Sequence, residues 1–418
     1  MLDMRRLREE REEIERRLRT RDASIDLSEL VELDQRRIEL IQRVEALKAA
    51  RNSGSQEVGR RKKSGEDAEA LLVSLAEISE AIDRDDAALK RVTARVDNLG
   101  ALLPNVPHAS VPVGGKERKE VLRVVGGRPD DHAVKNHLEI GEAKGLLDFR
   151  RGAQIAGSRF PLYIGMGARL EMALITFMFA YHVERGYVPV IPPLLANAES
   201  FFVASQLPKF ADDVYRCEKD DLYLAPTAES LLVNLHRDEI FDADVLPLNY
   251  VAYTPCFRRE AGSYGEEERG LIRVHQFNKV EMFKFATPEA SYEELDNLVV
   301  DAEGVLQALG LHYRVAILTT EDLAQQASMT IDLEVYLPGQ GRYYEVSSCS
   351  NCEDFQARRG RIRYRPESKA KPRYLHTLNG SGLATSRLLA AILENNQTED
   401  GRVRIPQVLQ ESVGAESL

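Results

Sequence analysis

Several stretches of this chain set charged and hydroxyl side chains at spacings that could do chemistry. Residues 257–285 alternate apolar and polar residues at both ends, as half-buried strands do, while 261–270 carries three glycines and a run of charge. This predicts an antiparallel hairpin with a long polar loop. Arg258 and Glu260, two residues apart, would share a face that Glu281 joins from the partner strand. One cation and two carboxylates on a sheet form either a solvated face with cross-strand ion pairs or a binding surface. Farther on, Glu345 with Ser347 and Ser348 offers oxygen ligands of the kind magnesium accepts, or a structural hydrogen-bonding set. Thr227 and Glu229 follow a short strand and read either as a helix N-cap or as site residues. Arg387 falls in the first turn of an apolar helix, at the positive end of its dipole, where a cation is disfavoured. Backbone amides at a helix start, small residues at 380–386 and an arginine together describe a polyphosphate site. It is not a Walker loop, which needs Gly-Lys-Ser/Thr, nor a dinucleotide fingerprint, since Thr385 stands where the third glycine belongs.

The elements that must carry these residues are legible in part. Leu71, Leu75, Ile78, Ile82, Asp85, Leu89, Val92, Val96 and Leu99 form a heptad seam, and Leu33, Leu40, Val44 and Leu47 repeat the spacing upstream with Arg37 on the seam. Asn52, Ser53, Gly54, Ser64 and Gly65 are expected to interrupt the pattern, giving an antiparallel helical hairpin over 27–99. At about 1.5 Å per residue, an arm of about thirty residues would reach roughly 45 Å. Lys48, Arg51, Arg60, Arg61, Lys62 and Lys63 gather near its tip, suiting either solvent or a phosphate backbone. Pro104, Pro107, Pro112, Gly114 and Gly115 mark the end of the arm. The expected organisation is a hairpin at 1–103, a linker at 104–122 and an α+β domain at 123–418. In that domain, 167–186 reads as an amphipathic helix, 187–193 as an edge strand suited to a dimer surface, and 292–309 as a helix on a sheet. Residues 332–348 read as a hairpin, and 377–394 as strand, glycine turn and helix.

Composition narrows the class. The 418-residue chain is 43% hydrophobic, enough for two domains, and its net charge of −11 means that any polyanion would meet a local basic patch. Neither a secretory signal nor a membrane-length apolar run is seen, so a soluble, cytoplasmic protein is expected, with no membrane partner. Cys349 and Cys352 form a Cys-x-x-Cys without a second ligand pair, which leaves a structural zinc site incomplete.

Taken in order, these residues resemble a known family. Phe257-Arg258-x-Glu260, the loop to 269–277 and Glu281 resemble motif 2 of the class II aminoacyl-tRNA synthetases; 378–387 resembles motif 3, and the helix and strand ending at Pro192-Pro193 resemble motif 1. With the helical hairpin, Thr227-Ala228-Glu229 and the segment 344–359, the chain is similar to bacterial-type seryl-tRNA synthetases over nearly its whole length. The resemblance implies a class II antiparallel sheet with flanking helices, a homodimer through motif 1, ATP and Mg2+ as cofactors, and L-serine and serine tRNA as substrates; it leaves selenocysteine tRNA open. It implies that Arg258 bridges the serine carboxylate and the α-phosphate, Glu260 meets the adenine amino group, and Phe277 stacks on the base. Val274 would line the nucleotide site, with Arg259, Val346 and Ser347 beside it. Arg387 would hold the γ-phosphate; Glu345 and Ser348 would ligate magnesium. Thr227, Ala228, Glu229, Glu281 and Ser381 would surround serine, with Glu281 reading its hydroxyl. The basic arm residues named above would contact tRNA, and the loop 261–270 its acceptor end. The sequence departs from the family's common pattern at Ser230-Leu231 and 328–330, neither of which carries an assigned role. Two other classes share part of this pattern: a synthetase-like ligase acting on a carrier protein, against which the arm argues, and a non-catalytic RNA-binding module, against which the intact motif set argues.

Overall fold

The computed structural model describes residues 1–128, 134–261 and 269–418. It divides into two compact units, Leu2–Leu103 and Pro104–Leu418, with Met1 counted in the second.

In the first unit, two short helices, α1 (Met4–Glu9) and α2 (Arg11–Arg19), precede the long antiparallel pair α3 (Ser28–Ser64) and α4 (Glu69–Leu102). The heptad reading locates the seam. Leu40, Val44, Ile82, Asp85 and Val96 are buried, whereas Leu72 and Val73, off the seam, are exposed. Asp85 is offset by Arg43 at 2.8 Å, and Asp34 by ion pairs to Arg8 and Arg37. One expectation fails: Asn52, Ser53 and Gly54 do not interrupt the helix, which runs unbroken to Ser64. Weak helix formers cost at most about 1 kcal/mol each, and packing over a long seam outweighs that. Gly54 has a packing role, since a Cβ there would lie 2.7 Å from Leu75 Cδ2. The reversal comes at Gly65, in the left-handed conformation at φ 70, whose N–H reaches back to the carbonyls of Arg61 and Lys62.

The second unit is built on an eight-stranded sheet. In chain order its strands are β1 (Glu120–Val125), β2 (Val188–Val190), β3 (Leu248–Phe257), β4 (Gln276–Ala286), β5 (Tyr313–Ile317), β6 (Met329–Leu337), β7 (Arg342–Asn351) and β8 (His376–Ala384). Across the sheet they lie in the order β1-β5-β6-β7-β8-β4-β3-β2. Neighbours pair antiparallel except at one edge, where β2 runs parallel to β3. Pro189 is tolerated in β2 because an edge strand leaves one row of N–H groups out of the ladder. The helices α5 (His137–Ala143), α6 (Met166–Val183), α7 (Ser291–Ala308) and α8 (Thr385–Asn395) accompany the sheet. Leu170, Leu174 and Met178 of α6 and Leu298, Ala302 and Leu306 of α7 join Val280 and Met282 of β4 in the main core. Phe283 and Phe285, on the other side of β4, belong to a separate cluster. Alternation along β4 therefore assigns its odd-numbered residues, including Lys279 and Glu281, to the face away from α6 and α7.

The segment read as a linker is tied to this unit. Asn105 Nδ2 donates to the carbonyls of Gln326 (2.9 Å) and Cys352 (2.8 Å), Val111 packs with Leu318 and Leu323, and β1 begins at Glu120. The glycine turn expected in 377–394 is also absent: β8 runs through Gly380 and Gly382 and leads directly into α8. Both glycines serve close packing instead, for a Cβ at Gly380 would lie 2.9 Å from Cys349 Sγ and one at Gly382 2.4 Å from His182 Nε2.

Candidate active site

On the face of β4 away from α6 and α7 lie two adjoining clefts, of about 450 and 180 Å³, which share Arg258, Glu260, Lys279, Glu345 and Ser381. Three strands supply the floor. Phe277, Lys279 and Glu281 follow one another at spacing two along β4; Ser381 on β8 is in register with Glu281; Glu345 and Ser348 come from β7. Arg258 and Glu260 are not strand residues, contrary to the sequence reading, because β3 ends at Phe257. The loop brings them in: Arg258 N–H donates to the His275 carbonyl (2.9 Å), while His275 Nδ1 donates to the Arg258 carbonyl (3.0 Å). Glu260 sits in the left-handed region at φ 51, a conformation costing about 1 kcal/mol, and its carboxylate is held by Arg273 at 2.8 Å.

The larger cleft is a nest of buried acids. Glu281, 1% exposed, is ion-paired with Lys279 and accepts from Thr227 Oγ1 at 3.2 Å; Lys279 Nζ donates to the same hydroxyl at 2.7 Å. Glu229 Oε1 accepts from Gln326 Nε2 (2.8 Å) and Gln356 Nε2 (2.7 Å). Burial, reinforced by the nearby Glu281 charge, pushes its carboxyl up to about 7. Thr227 Oγ1 also accepts the Glu229 N–H at 3.2 Å, but the helix Glu229–Leu232 has Ala228 as its N-cap with no side-chain capping bond, so Thr227 is a cleft residue and not the N-cap expected from Thr-x-Glu.

The smaller cleft is cationic. Arg258, Arg273 and Arg387 line it with Val274 and Phe277, and the Arg258 guanidinium carbon lies 5.2 Å from the Phe277 ring centroid. Arg387 is in the first turn of α8, as the sequence indicates, with Nε on the Ile272 carbonyl (3.1 Å) and Nη1 on both the carbonyl (2.7 Å) and a carboxylate oxygen (3.0 Å) of Glu345. Two residues assigned to different groups thus face each other as an ion pair. Opposite Ser348 on β6, Asp332 is buried with Oδ1 unpartnered; burial and the Glu345 charge hold its carboxyl well above the ordinary range. A cation ligated by Glu345 and Ser348 would relieve both carboxyl groups, so the donor set fits a hard divalent ion. Among the described residues no three His, Cys, Asp or Glu side chains form a ready-made metal centre.

Some expected residues do not reach the clefts. Val346 packs into the main core, Ser347 donates to the Ser381 carbonyl from behind the floor, and Ala228 is buried between Thr227 and Glu229. Arg259 is exposed, its guanidinium carbon 6.0 Å from the Tyr215 ring centroid. Cys349 and Cys352 are buried free thiols, that of Cys349 pushed up to about 12 by burial. The loop residues 262–268, including Glu266, Glu267 and Glu268, lie outside the described residues. Conversely, sequence reasoning gave no role to Lys279, Arg273, Gln326 or Gln356. Lys279 alone carried a signal, its two-residue spacing from Glu281.

At the arm's reversal Lys62 and Lys63 are exposed, whereas Arg60 and Arg61 pair with Glu57 at 2.8 and 2.9 Å, and Lys48 pairs with Asp86 at 3.1 Å. Hydrogen bonds from those two arginines hold the Glu57 carboxyl down at about 2. Arg51, half-buried, lies on α3 beside Lys48.

Comparison with known proteins covers both units. Residues 1–107 match the seryl-tRNA synthetase N-terminal domain, and residues 213–396 match the tRNA synthetase class II core domain (G, H, P, S and T). The chain is 52% identical over 417 residues to the serine–tRNA ligase of Geotalea uraniireducens and 48% identical over 417 residues to that of Syntrophobacter fumaroxidans, covering 99% of each chain in both comparisons. The crystal structure of seryl-tRNA synthetase from Pyrococcus horikoshii complexed with ATP superposes with a TM-score of 0.93 at 37% identity, over 100% of this chain and 99% of that one.

Proposed function

The chain belongs to the seryl-tRNA synthetases of class II, and from that premise we propose how its two clefts divide the work of the family's reaction. The protein activates L-serine with ATP to seryl-adenylate and transfers the seryl group to the 3' end of serine tRNA. One observation carries the division: the larger, acid-lined cleft opens onto the smaller, cationic one across Arg258, so an amino acid and a polyphosphate can meet there.

Serine enters the acid-lined cleft. Glu229 keeps Oε2 for the substrate ammonium, because Oε1 already accepts from two glutamine amides. Glu281 reads the hydroxyl with Thr227 and Ser381 beside it. Lys279 holds Glu281 in place, and its charge offsets the crowding of two buried acids. Alanine is rejected because it would leave these polar groups unpaired.

ATP occupies the cationic cleft, its base against Phe277 and Val274, its amino group at Glu260, its α-phosphate at Arg258 and its γ-phosphate at Arg387. The serine carboxylate attacks the α-phosphorus, the bond to the bridging oxygen breaks, and pyrophosphate leaves with the electron pair. Arg258 neutralises charge as the phosphorus becomes five-coordinate. The tRNA 3'-hydroxyl then attacks the adenylate carbonyl and AMP departs. Glu345 and Ser348, with Asp332 behind them, would hold magnesium, which when bound supplies charge neutralisation on the polyphosphate. In the absence of ATP the Arg387–Glu345 pair keeps both groups satisfied, and nucleotide binding exchanges that partner for phosphate.

The arm grips tRNA through Lys62 and Lys63, with Lys48, Arg51, Arg60 and Arg61 adding positive charge. Helix α6, β2 and the residues that follow it provide the homodimer surface, where Val188 in β2 and Ile191 just past it are 52% and 91% exposed. Among the described residues no helix is long and apolar enough to cross a membrane, and the cytoplasm is the proposed location. The test is serine-dependent ATP–pyrophosphate exchange followed by charging of purified serine tRNA with serine, threonine, alanine and cysteine. Exchange without charging would refute the transfer step, and equal use of alanine would refute the reading of Glu281. Selenocysteine tRNA belongs in the same assay.

A further inference from the structure

One buried hydrogen-bonded pair outside both clefts joins parts of the chain that the chemistry needs in register. His137, the first residue of α5, and Glu394, in the last turn of α8, are each 1% exposed. Glu394 Oε1 accepts from His137 Nδ1 (2.7 Å) and from the His137 backbone N–H (3.0 Å), while Oε2 accepts from the Gly339 N–H (2.9 Å) in the turn between β6 and β7. The other ring nitrogen, Nε2, accepts the Leu271 N–H at 3.2 Å. Nε2 thus serves as the acceptor and Nδ1 as the donor aimed at the carboxylate.

Leu271 is the centre of the one-turn helix Gly270–Ile272, on the return arm of the loop between β3 and β4. The next carbonyl, that of Ile272, accepts from Arg387 Nε at 3.1 Å. Arg387 and Glu394 are seven residues apart on α8, hence on one face and about 10 Å apart along its axis. The turn Gly270–Ile272 thus spans two points of the same helix face: Glu394, reached through His137, and Arg387 directly. Gly270 records how closely the ring approaches. It is left-handed at φ 69, and a Cβ there would lie 2.4 Å from His137 Nε2.

We propose that His137 is a positioning residue for the nucleotide site: oriented by Glu394, it fixes the turn Gly270–Ile272 and so the Arg387 guanidinium. Serine binding does not run through this clamp, because Glu229, Glu281 and Thr227 are placed by the short helix Glu229–Leu232, by β4 and by Gln326 and Gln356. The inference rests on the assignment of Arg387 to ATP, and the experiment separates the two.

His137→Asn keeps a donor near the Nδ1 position but no longer reaches Leu271, whereas His137→Gln places an acceptor near Nε2. Loss of one such hydrogen bond is expected to raise the KM for ATP in pyrophosphate exchange about three- to tenfold in H137N, with the KM for serine within about twofold of wild type. H137Q should recover most of the loss. Hydrogen exchange of the peptide 269–275 should quicken in H137N and not in H137Q. Equal effects of the two variants, or parallel shifts for ATP and serine, would overturn the proposal. Should H137N fold too poorly to assay, Glu394→Gln carries the test: it leaves the ring in place but weakens its orientation. It should then raise the KM for ATP selectively, and an unchanged value would overturn the proposal. Arg387→Ala is the separate arm. If it leaves the KM for ATP unchanged, the assignment of Arg387 fails, while the exchange of 269–275 still reports on His137.

Discussion

Glu229 offers the sharpest test of the serine cleft, because its burial predicts a pH profile. Its carboxyl is pushed up to about 7, by burial first and by Glu281 second, against a favourable contribution from Lys279. If the substrate ammonium pairs with ionised Glu229, kcat/KM for serine in pyrophosphate exchange should fall with one proton below that value. At pH 6 only about a tenth of the enzyme would be ionised, giving roughly tenfold lower kcat/KM than on the plateau above pH 8. Glu229→Gln should flatten the inflexion and lower the plateau. The same shift has a consequence for stability. A carboxyl whose folded pKa exceeds its unfolded value near 4.5 binds the proton more tightly when folded. Its ionisation therefore removes stability as pH rises from the unfolded value through about 7. The full penalty above pH 7 is about 3 kcal/mol, so E229Q should equal wild type in thermal stability near pH 4 and exceed it at pH 8. A serine kcat/KM that is flat between pH 6 and 8, or an inflexion that persists in E229Q, would refute the reasoning.

Other expectations concern the same network and the arm. Glu281→Gln should reduce serine activation by about ten- to a hundredfold, as for loss of a charged hydrogen bond, and should narrow the preference for serine over alanine in exchange assays. Glu281→Ala would also strand Lys279 and cost up to about 3–5 kcal/mol of fold stability, measurable by urea unfolding. Lys279→Met should raise the KM for serine more than that for ATP, because it removes the partner of Glu281; equal effects would argue that Lys279 serves the nucleotide. Lys62→Ala combined with Lys63→Ala should leave pyrophosphate exchange unchanged, raise the KM for tRNA, and lower the salt slope of tRNA binding by about one to two. An unaltered slope would remove those lysines from the tRNA contact.

Much of the architecture was legible from periodicity. The heptad seam located the α3–α4 pair, and alternation located the strands that became β4, β6 and β7, because these patterns record which face of an element is buried; β3 lies upstream of the strand expected from residue 257 onward. What periodicity misread were glycines. Gly54, Gly380 and Gly382 read as breaks in the sequence, yet each lies inside a regular element whose neighbour comes close to where a Cβ would sit. A glycine that ends an element and one that admits a neighbour are the same letter. Gly65, whose place between two heptad runs had a local reason, marks a true reversal, as does Gly341 in the turn between β6 and β7.

The sequence by itself determined the chemistry present in the site, since Thr227, Glu229, Arg258, Glu260, Glu281, Glu345 and Arg387 all face one of the two clefts. Tertiary structure decided how those groups are paired. The contacts of Glu281 with Lys279, of Arg387 with Glu345, and of Glu229 with Gln326 and Gln356 join residues across strands or across the fold. So does the line from Glu394 through His137 to Leu271. A pattern of spacing reports only what lies along one element, whereas burial, which sets charge state and demands a partner for every polar atom, is a property of the packed whole.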